Sequence, residues 1–235
     1  MHTVAIVQSR FGSSRLPGKA VQVIAGRALL AHVLERAKLI RGVDRIILAT
    51  TENPRDDQLV ALARKCGRID VYRGDEHDVL SRFRAIVDRY APKVVIRLTG
   101  DCPLLDPRIC ERILENYRTG APVALVHSAT SPAGHYPDGL DVEVMSAIAV
   151  LAADRHARTA ADREHVTRWI RRHLPVRALE CEEDLSAMKL SVDTVEDLAR
   201  VRQLFGFLPA GVTSLEVTVR AYRLAFSTAE ATVRA

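Results

Sequence analysis

Three fixed cations, Arg10, Arg15 and Lys19, stand within ten residues in the stretch Gln8-Ser9-Arg10-Phe11-Gly12-Ser13-Ser14-Arg15-Leu16-Pro17-Gly18-Lys19, and no acid lies among them. Glycine and serine let backbone N–H groups converge on oxygens, while the three charges can neutralise a triphosphate. Two familiar phosphate motifs fail on spacing. Gly12 and Gly18 are separated by five residues and Ala20 follows Lys19, so there is no P-loop, and no G-x-G-x-x-G occurs. Neither a P-loop NTPase nor a dinucleotide dehydrogenase is supported.

Two acids stand where a cation for phosphate chemistry could be held. Asp101 follows the apolar run VVIRL in Thr99-Gly100-Asp101-Cys102-Pro103, and Asp193 follows MKLSV. Magnesium is usually held by one or two carboxylates together with phosphates and waters. Read from the residues alone, each acid also has a structural role open to it: Asp101 can close a turn, and Asp193 can cap a helix beginning near Thr194. Cys102 has no histidine evidently tied to it and reads as packing rather than a nucleophile. The four cysteines, at 66, 102, 110 and 181, form no C-x-x-C pair and no disulfide framework, which suits a reducing compartment.

The chemistry needs a scaffold, and the composition allows one. With 235 residues, 48% hydrophobic and 27% charged, the chain can bury a single large α/β core. No run approaches the roughly 18 apolar residues of a membrane helix, and MHTVAIVQSR enters a strand pattern without a signal-peptide h-region. A cytoplasmic protein with no membrane partner is expected. The net charge of +5 is uneven: residues 1 to 50 hold eight Lys/Arg against two acids. That local surplus fits a nucleoside triphosphate better than a stripe along a nucleic acid, so no nucleic-acid partner is expected. Arg36, Lys38, Arg41 and Arg45 also read as solvated surface.

The run TVAIVQ at 3–8, the polar loop at 9–19 and helical spacing at Leu29, Leu30, Val33, Leu34, Ala37 and Ile40 give strand, loop, helix. The order repeats: strand 45–50, helix about 55–66, strand 70–72, helix about 78–90, strand 94–98, helix 107–118, strand 122–126. Such alternation predicts a mainly parallel sheet covered by helices on both faces, with ligands beyond the carboxyl ends of the strands. SPAGHYPDG then breaks the pattern. LDVEVM at 140–145 alternates like a half-exposed strand, followed by helices at 146–157 and 162–173, strands at 176–181 and 188–192, and a helix at 194–205. The tail from 206 to 235 contains an amphipathic pattern near 214–226.

QSRFGSSRLPGK resembles the signature loop of the cytidylyltransferases that make CMP-activated sugars, in particular the spore-coat polysaccharide branch related to the CMP-KDO and CMP-sialate synthetases. Further landmarks follow in order: VYRGDEHDVLSRF (71–83), RLTGDCPLLDP (97–107), YPDGLDVEV (136–144), DREHVT (162–167) and LSVDTVEDL (190–198). The resemblance spans about residues 3–205. It implies a Rossmann-like α/β fold of the nucleotide-diphospho-sugar transferase type over 1–205, with an acceptor and dimerisation subregion at about 136–175.

The resemblance also implies roles. Gln8, Ser9, Arg10, Phe11, Gly12, Ser13, Arg15, Lys19 and Thr99 would meet the nucleotide, and Asp101 and Asp193 would hold Mg²⁺. Arg73 and Asp75, with Thr50 at the end of its strand, would face the nucleoside. Asp138 and Asp141 would meet acceptor hydroxyls. Arg163, Glu164 and His165 are adjacent and cannot all face one ligand; the simplest division has Arg163 or His165 contacting an anionic acceptor while Glu164 anchors a neighbour. The implied reaction is attack of an acceptor oxygen on the α-phosphorus of CTP by a homodimeric enzyme, the acceptor being a sugar acid, sugar phosphate or phosphonate. Transfer from another NTP, or a nucleotide-binding module without turnover, are the alternative readings.

Overall fold

The computed structural model describes residues 2–128, 135–211 and 214–230, and the side chains of helix residues 227–230 are outside that description. Its main sheet is built from β1 (Thr3–Gln8), β4 (Arg45–Thr51), β5 (Asp70–Gly74), β6 (Val94–Thr99), β7 (Leu125–Ser128), β8 (Val142–Ser146) and β9 (Val176–Leu179). A separate hairpin joins β2 (Val23–Ile24) to β3 (Arg27–Ala28). The helices are α1 (Leu29–Ala37), α2 (Asp57–Cys66), α3 (Val79–Tyr90), α4 (Pro107–Thr119), α5 (Ala147–His156), α6 (Ala160–Glu164), α7 (Arg168–His173), α8 (Val195–Phe205) and α9 (Leu215–Glu230).

Strand order is β5-β4-β1-β6-β8-β7-β9. All neighbouring pairs are parallel except those of β8, which runs antiparallel to both β6 and β7. The alternation of β1 sorts its side chains between two layers. Ala5 and Val7 pack with α1, α4 and α8, whereas Val4 and Ile6 pack with α3, α5 and Ile170 of α7. Every one of these four is fully buried, and a buried Val or Ile is worth about 1.5–3 kcal/mol relative to exposure. This continuous apolar strand is what a parallel sheet covered on both faces requires. It ends at Gln8, so the cationic loop begins at the carboxyl edge.

Three segments differ from the sequence expectations. The helix expected over 162–173 is broken into α6 and α7, because Val166 adopts φ 53 between them. The strand expected at 188–192 is reduced to a single parallel bridge between Asp138 and Lys189. Gly139 explains that close approach: at φ +105, a Cβ there would lie 2.4 Å from the Ser191 nitrogen. Finally, β8 is an interior strand rather than a half-exposed one, with Glu143 only 4% exposed. The break motif SPAG at 131–134 lies outside the described residues. In the tail, α9 packs Leu215, Tyr222 and Phe226 on the core, and Leu215 N donates to Asp106 Oδ2 at 2.8 Å.

Candidate active site

The loop after β1 is folded on itself and pinned from beneath. Ser13 N and Gly18 N both donate to Phe11 O at 2.9 Å. Phe11 N donates to Asp56 Oδ1 at 2.8 Å. Asp56 is buried, and its other oxygen accepts from Thr50 Oγ1, Thr51 N and Thr51 Oγ1 at 2.8, 2.9 and 2.6 Å. Gly18, at φ +73, lets the Phe11 ring close over it, since a Cβ would sit 2.9 Å from that ring. Among the described residues the N–H groups of Gly12, Ser14 and Arg15 have no acceptor, which leaves donors for phosphate oxygens.

Above this loop lies a cleft of about 280 Å³ lined by Gln8, Ser9, Arg10, Ser13, Ser14, Arg15, Lys19, Arg82, Thr99, Asp101, Glu164, His165 and Asp193, among others. A second cleft of about 240 Å³ adjoins it through Thr99, Asp101 and Asp193 and is walled by Arg97, Asp138, Asp141, Glu143, Arg171 and Ser191. Residues brought from β1, β6 and the turn before α8 thus meet at one edge of the sheet, as the rule for open parallel sheets requires.

Lys19 stands at the boundary of the two clefts. Its Nζ donates to Asp101 Oδ2 at 2.8 Å, Asp193 Oδ1 at 3.0 Å and the Val192 carbonyl at 2.8 Å. Burial opposes its charge, yet the two carboxylates outweigh that and raise its pKa above the ordinary lysine value. Asp193 also pairs with Arg15 at 3.0 Å and Lys189 at 3.2 Å. Burial pushes its carboxyl up, but Lys19 and Lys189 prevail and hold it below the usual carboxylate range. The helix cap is a different residue: Thr194 caps α8 in a box with Asp197, whose carboxylate accepts from the Asp193 and Thr194 N–H groups at 3.1 Å. The Asp193 side chain is therefore not occupied in capping.

A cation already sits between these two acids, and the donor set is all oxygen, which is the chemistry Mg²⁺ prefers. Among the described residues no cluster of three or more His, Cys, Asp or Glu is arranged to hold a metal, so a metal here would take its remaining ligands from substrate and water. Cys102 is buried, and burial, followed by the nearby Asp101 and Asp141, drives its thiol well above the usual range. It is packing.

Several sequence expectations are displaced. Thr50 is fully buried and spends its hydroxyl on Asp56, so it anchors the loop from below instead of facing a base. Arg73 donates to the Thr51 and Asn53 carbonyls at 2.8 and 2.9 Å, and Asp75 accepts the His77 and Asp78 N–H groups at 2.7 Å. Neither lines either cleft. Arg163 clamps α6 to α3 and α5 through Asp78 (2.6 Å) and Asp154 (2.8 Å), while Glu164 faces the nucleotide cleft 3.5 Å from Arg10. Of the expected division, the Arg163 branch is therefore set aside, while Glu164 does hold a neighbour, Arg10. His165 lines the cleft, and Asp138 and Asp141 line the second one, Asp138 bridged to Lys189 at 3.1 Å.

Four polar residues in the walls were missed. Arg82 is 2% exposed, donates Nη1 to the Ala49 carbonyl at 3.2 Å and leaves Nε without a partner. Burial, then the neighbouring Arg10, lowers its pKa to about 10. Arg97 donates to Gln8 Oε1 at 2.9 Å and pairs with Glu143. Arg171 holds the other Glu143 oxygen at 2.7 Å, and Thr167 adds a bond of 2.7 Å. Burial alone would raise the Glu143 pKa, but Arg97 and Arg171 bring it to about 2. The hydroxyl of Ser191 is buried without a partner in the second cleft. Arg82, Arg97 and Ser191 stood within landmark motifs; nothing local marked Arg171.

Comparison with known proteins gives this arrangement a family. The family model for cytidylyltransferases matches residues 4–206. The chain is 32% identical over 211 residues to the spore coat polysaccharide biosynthesis protein SpsF of Bacillus subtilis, covering 85% of each. It is 29% identical over 219 residues to the 3-deoxy-manno-octulosonate cytidylyltransferase of Sodalis glossinidius, covering 87% of this chain and 84% of that one. In three dimensions it resembles a cytidylyltransferase from Leptospira borgpetersenii with a TM-score of 0.89 at 24% identity, over 98% of this chain and 96% of that one, a likeness of fold. With that match over the body that carries both clefts, the chain belongs to the cytidylyltransferase family and is a nucleotidyl-transferring enzyme.

Proposed function

We propose that this cytidylyltransferase transfers CMP from CTP to a small anionic acceptor, a sugar acid, sugar phosphate or phosphonate, with Mg²⁺ held by Asp101 and Asp193. The observation that carries the reading is the Lys19 ammonium between those two carboxylates, at the shared boundary of two clefts. One cleft is cationic and loop-walled, suited to a triphosphate; the other contains carboxylates, Arg97, Arg171 and an unpartnered serine hydroxyl, suited to a polyhydroxy anion.

An acceptor oxygen forms a new bond to the α-phosphorus as the bond to the β-phosphate bridging oxygen breaks, and its electron pair leaves with pyrophosphate. Arg10, Arg15 and the free loop N–H groups hold the departing phosphates, and Arg82 adds buried positive charge at the cleft floor. When bound, Mg²⁺ supplies charge neutralisation at the α-phosphate. Lys19 bridges both carboxylates in this structure, and with Mg²⁺ held by them its ammonium would be left for the β- and γ-phosphates. A phosphate or phosphonate oxygen attacks without losing a proton; a sugar hydroxyl passes its proton to water as the bond forms.

A pyrophosphate-release assay over the four NTPs with a panel of these acceptors tests the assignment. CTP should be preferred, and equal turnover with all four removes base selectivity from the proposal. We also propose a homodimer, supported by Ile148, 77% exposed, and the half-exposed Leu151 on α5. Light scattering that returns a monomer at micromolar concentration refutes it.

A further inference from the structure

The positive charge concentrated in the first fifty residues divides between two places. Arg10, Arg15 and Lys19 face the nucleotide cleft, while Arg41 pairs with Glu111 and Arg45 with Asp70. Arg27, Arg36 and Lys38 instead line, together with Arg68, a separate cleft of about 760 Å³. It lies outside α1, between the β2–β3 hairpin, the end of α2 and the segment after α8, and it shares no residue with the two catalytic clefts.

Arg36 is the unusual member. It is 3% exposed, yet among the described residues its side chain's one hydrogen bond runs from Nη1 to the Leu105 carbonyl at 3.2 Å, and no described carboxylate is within ion-pair distance. Burial lowers its pKa to about 10, outweighing Asp106, which acts in the other direction. A buried guanidinium without an anion is costly, and an anion in the adjoining cleft would remove that cost. Arg27 and Arg68 are exposed and make no ion pair with a described residue. Only Lys38 is matched, by Glu35 at 2.8 Å. The lining also has apolar members: Leu39, 52% exposed, Leu208, and Phe205, packed edge-on against the His32 ring at 4.8 Å.

We infer that this cleft is a second ligand site, which binds a small organic phosphate: the phosphate against Arg27, Arg36 and Arg68, and a ring or apolar body against Phe205 and Leu208. Equilibrium dialysis of radiolabelled pyrophosphate at low ionic strength tests it, because exposed charges are weakly screened there. The wild-type chain should bind at two separable sites. Arg27→Ser/Arg68→Ser should lose one and retain pyrophosphate-releasing turnover, and Lys19→Ala should lose the other together with turnover. Binding that Lys19→Ala abolishes entirely, or a second site that survives Arg27→Ser/Arg68→Ser, overturns the inference. In the Lys19→Ala protein, phenyl phosphate should displace the remaining pyrophosphate better than inorganic phosphate does; equal displacement overturns the ring-bearing ligand class. A failure of the cytidylyl assignment would show separately, as equal turnover with all four NTPs while the second pyrophosphate site persists.

Discussion

The two clefts each contain carboxylates held by cations, but the networks are built for different ends. Around Lys19 the ions are partly open to water, with Asp101 27% and Asp193 19% exposed, so their partners can be exchanged for ligand or metal. Around Glu143 the acid itself is closed off: its side chain is 5% exposed, and Arg97, Arg171 and Thr167 use both oxygens. A charge at the rim of a cleft is available for chemistry. A buried one, fully paired, fixes the position of the strands and helices that make the cleft, here β6, β8 and α7.

The largest effect should come from the open network. Asp193→Asn should lower turnover by about two to three orders of magnitude, the scale seen when one preorganised charge-stabilising group is removed. Its melting temperature should hardly move, because the lost charge acts on the reacting phosphate and α8 is capped by Thr194. Asp101→Asn should behave alike, and the double variant should be little worse than either single one, since groups that act as a unit are not additive. Near-normal turnover of Asp193→Asn at saturating Mg²⁺ and CTP would leave Asp101 as the sole candidate for the metal.

The closed network predicts the opposite pattern. Glu143→Gln takes the buried anion from Arg97, whose side chain is 15% exposed, and frees the more exposed Arg171 to water, and should cost about 1.5–3 kcal/mol of stability, read by urea melts. Its pH dependence has a defined sign. The folded-state pKa of about 2 lies below the ordinary 4.5, so the contribution is complete above pH 4.5 and fades as pH falls through about 2. The wild-type advantage over Glu143→Gln should therefore be full at pH 7 and shrink below pH 4.5. A gap that stays constant across that range would show that the pair does not hold the fold through its charge.

The difference between the networks also explains what could be read from the sequence. The loop at 8–19 was legible because its charges are local, and the strand–helix alternation carried it to the sheet edge. Glu143 was not: an acid in an alternating run ordinarily faces water, and the arginines that reverse this lie 46 and 28 residues away. Thr50 was misread because its partner, Asp56, is reached only once the loop folds over β4. The break between α6 and α7 had no Gly or Pro to announce it, since Val166 takes the left-handed conformation. Residues 188–192 have a strand's composition, but Gly139 lets that segment approach the chain at 138 so closely that one bridge replaces a ladder.

The smallest effect separates two neighbours that sequence alone could not tell apart. Asp193 and Thr194 both precede α8 and both are good N-cap residues. In the structure the Thr194 hydroxyl accepts the Asp197 N–H at 3.2 Å, and the Asp197 carboxylate returns to the Thr194 N–H. Thr194→Ala should then cost about 1 kcal/mol, a fall of about 2–4 °C in a chain of this size. Turnover with CTP should stay within about twofold at temperatures well below the transition, because the Asp197 half of the box still holds the Asp193 N–H and Lys19 still holds its carboxylate. Thr194→Ser, which keeps the accepting oxygen, should recover most of the lost stability. If Thr194→Ala instead lost turnover as Asp193→Asn is expected to, while melting at the wild-type temperature, the cap and the carboxylate would be one functional unit, and the division of labour between these adjacent residues would fail.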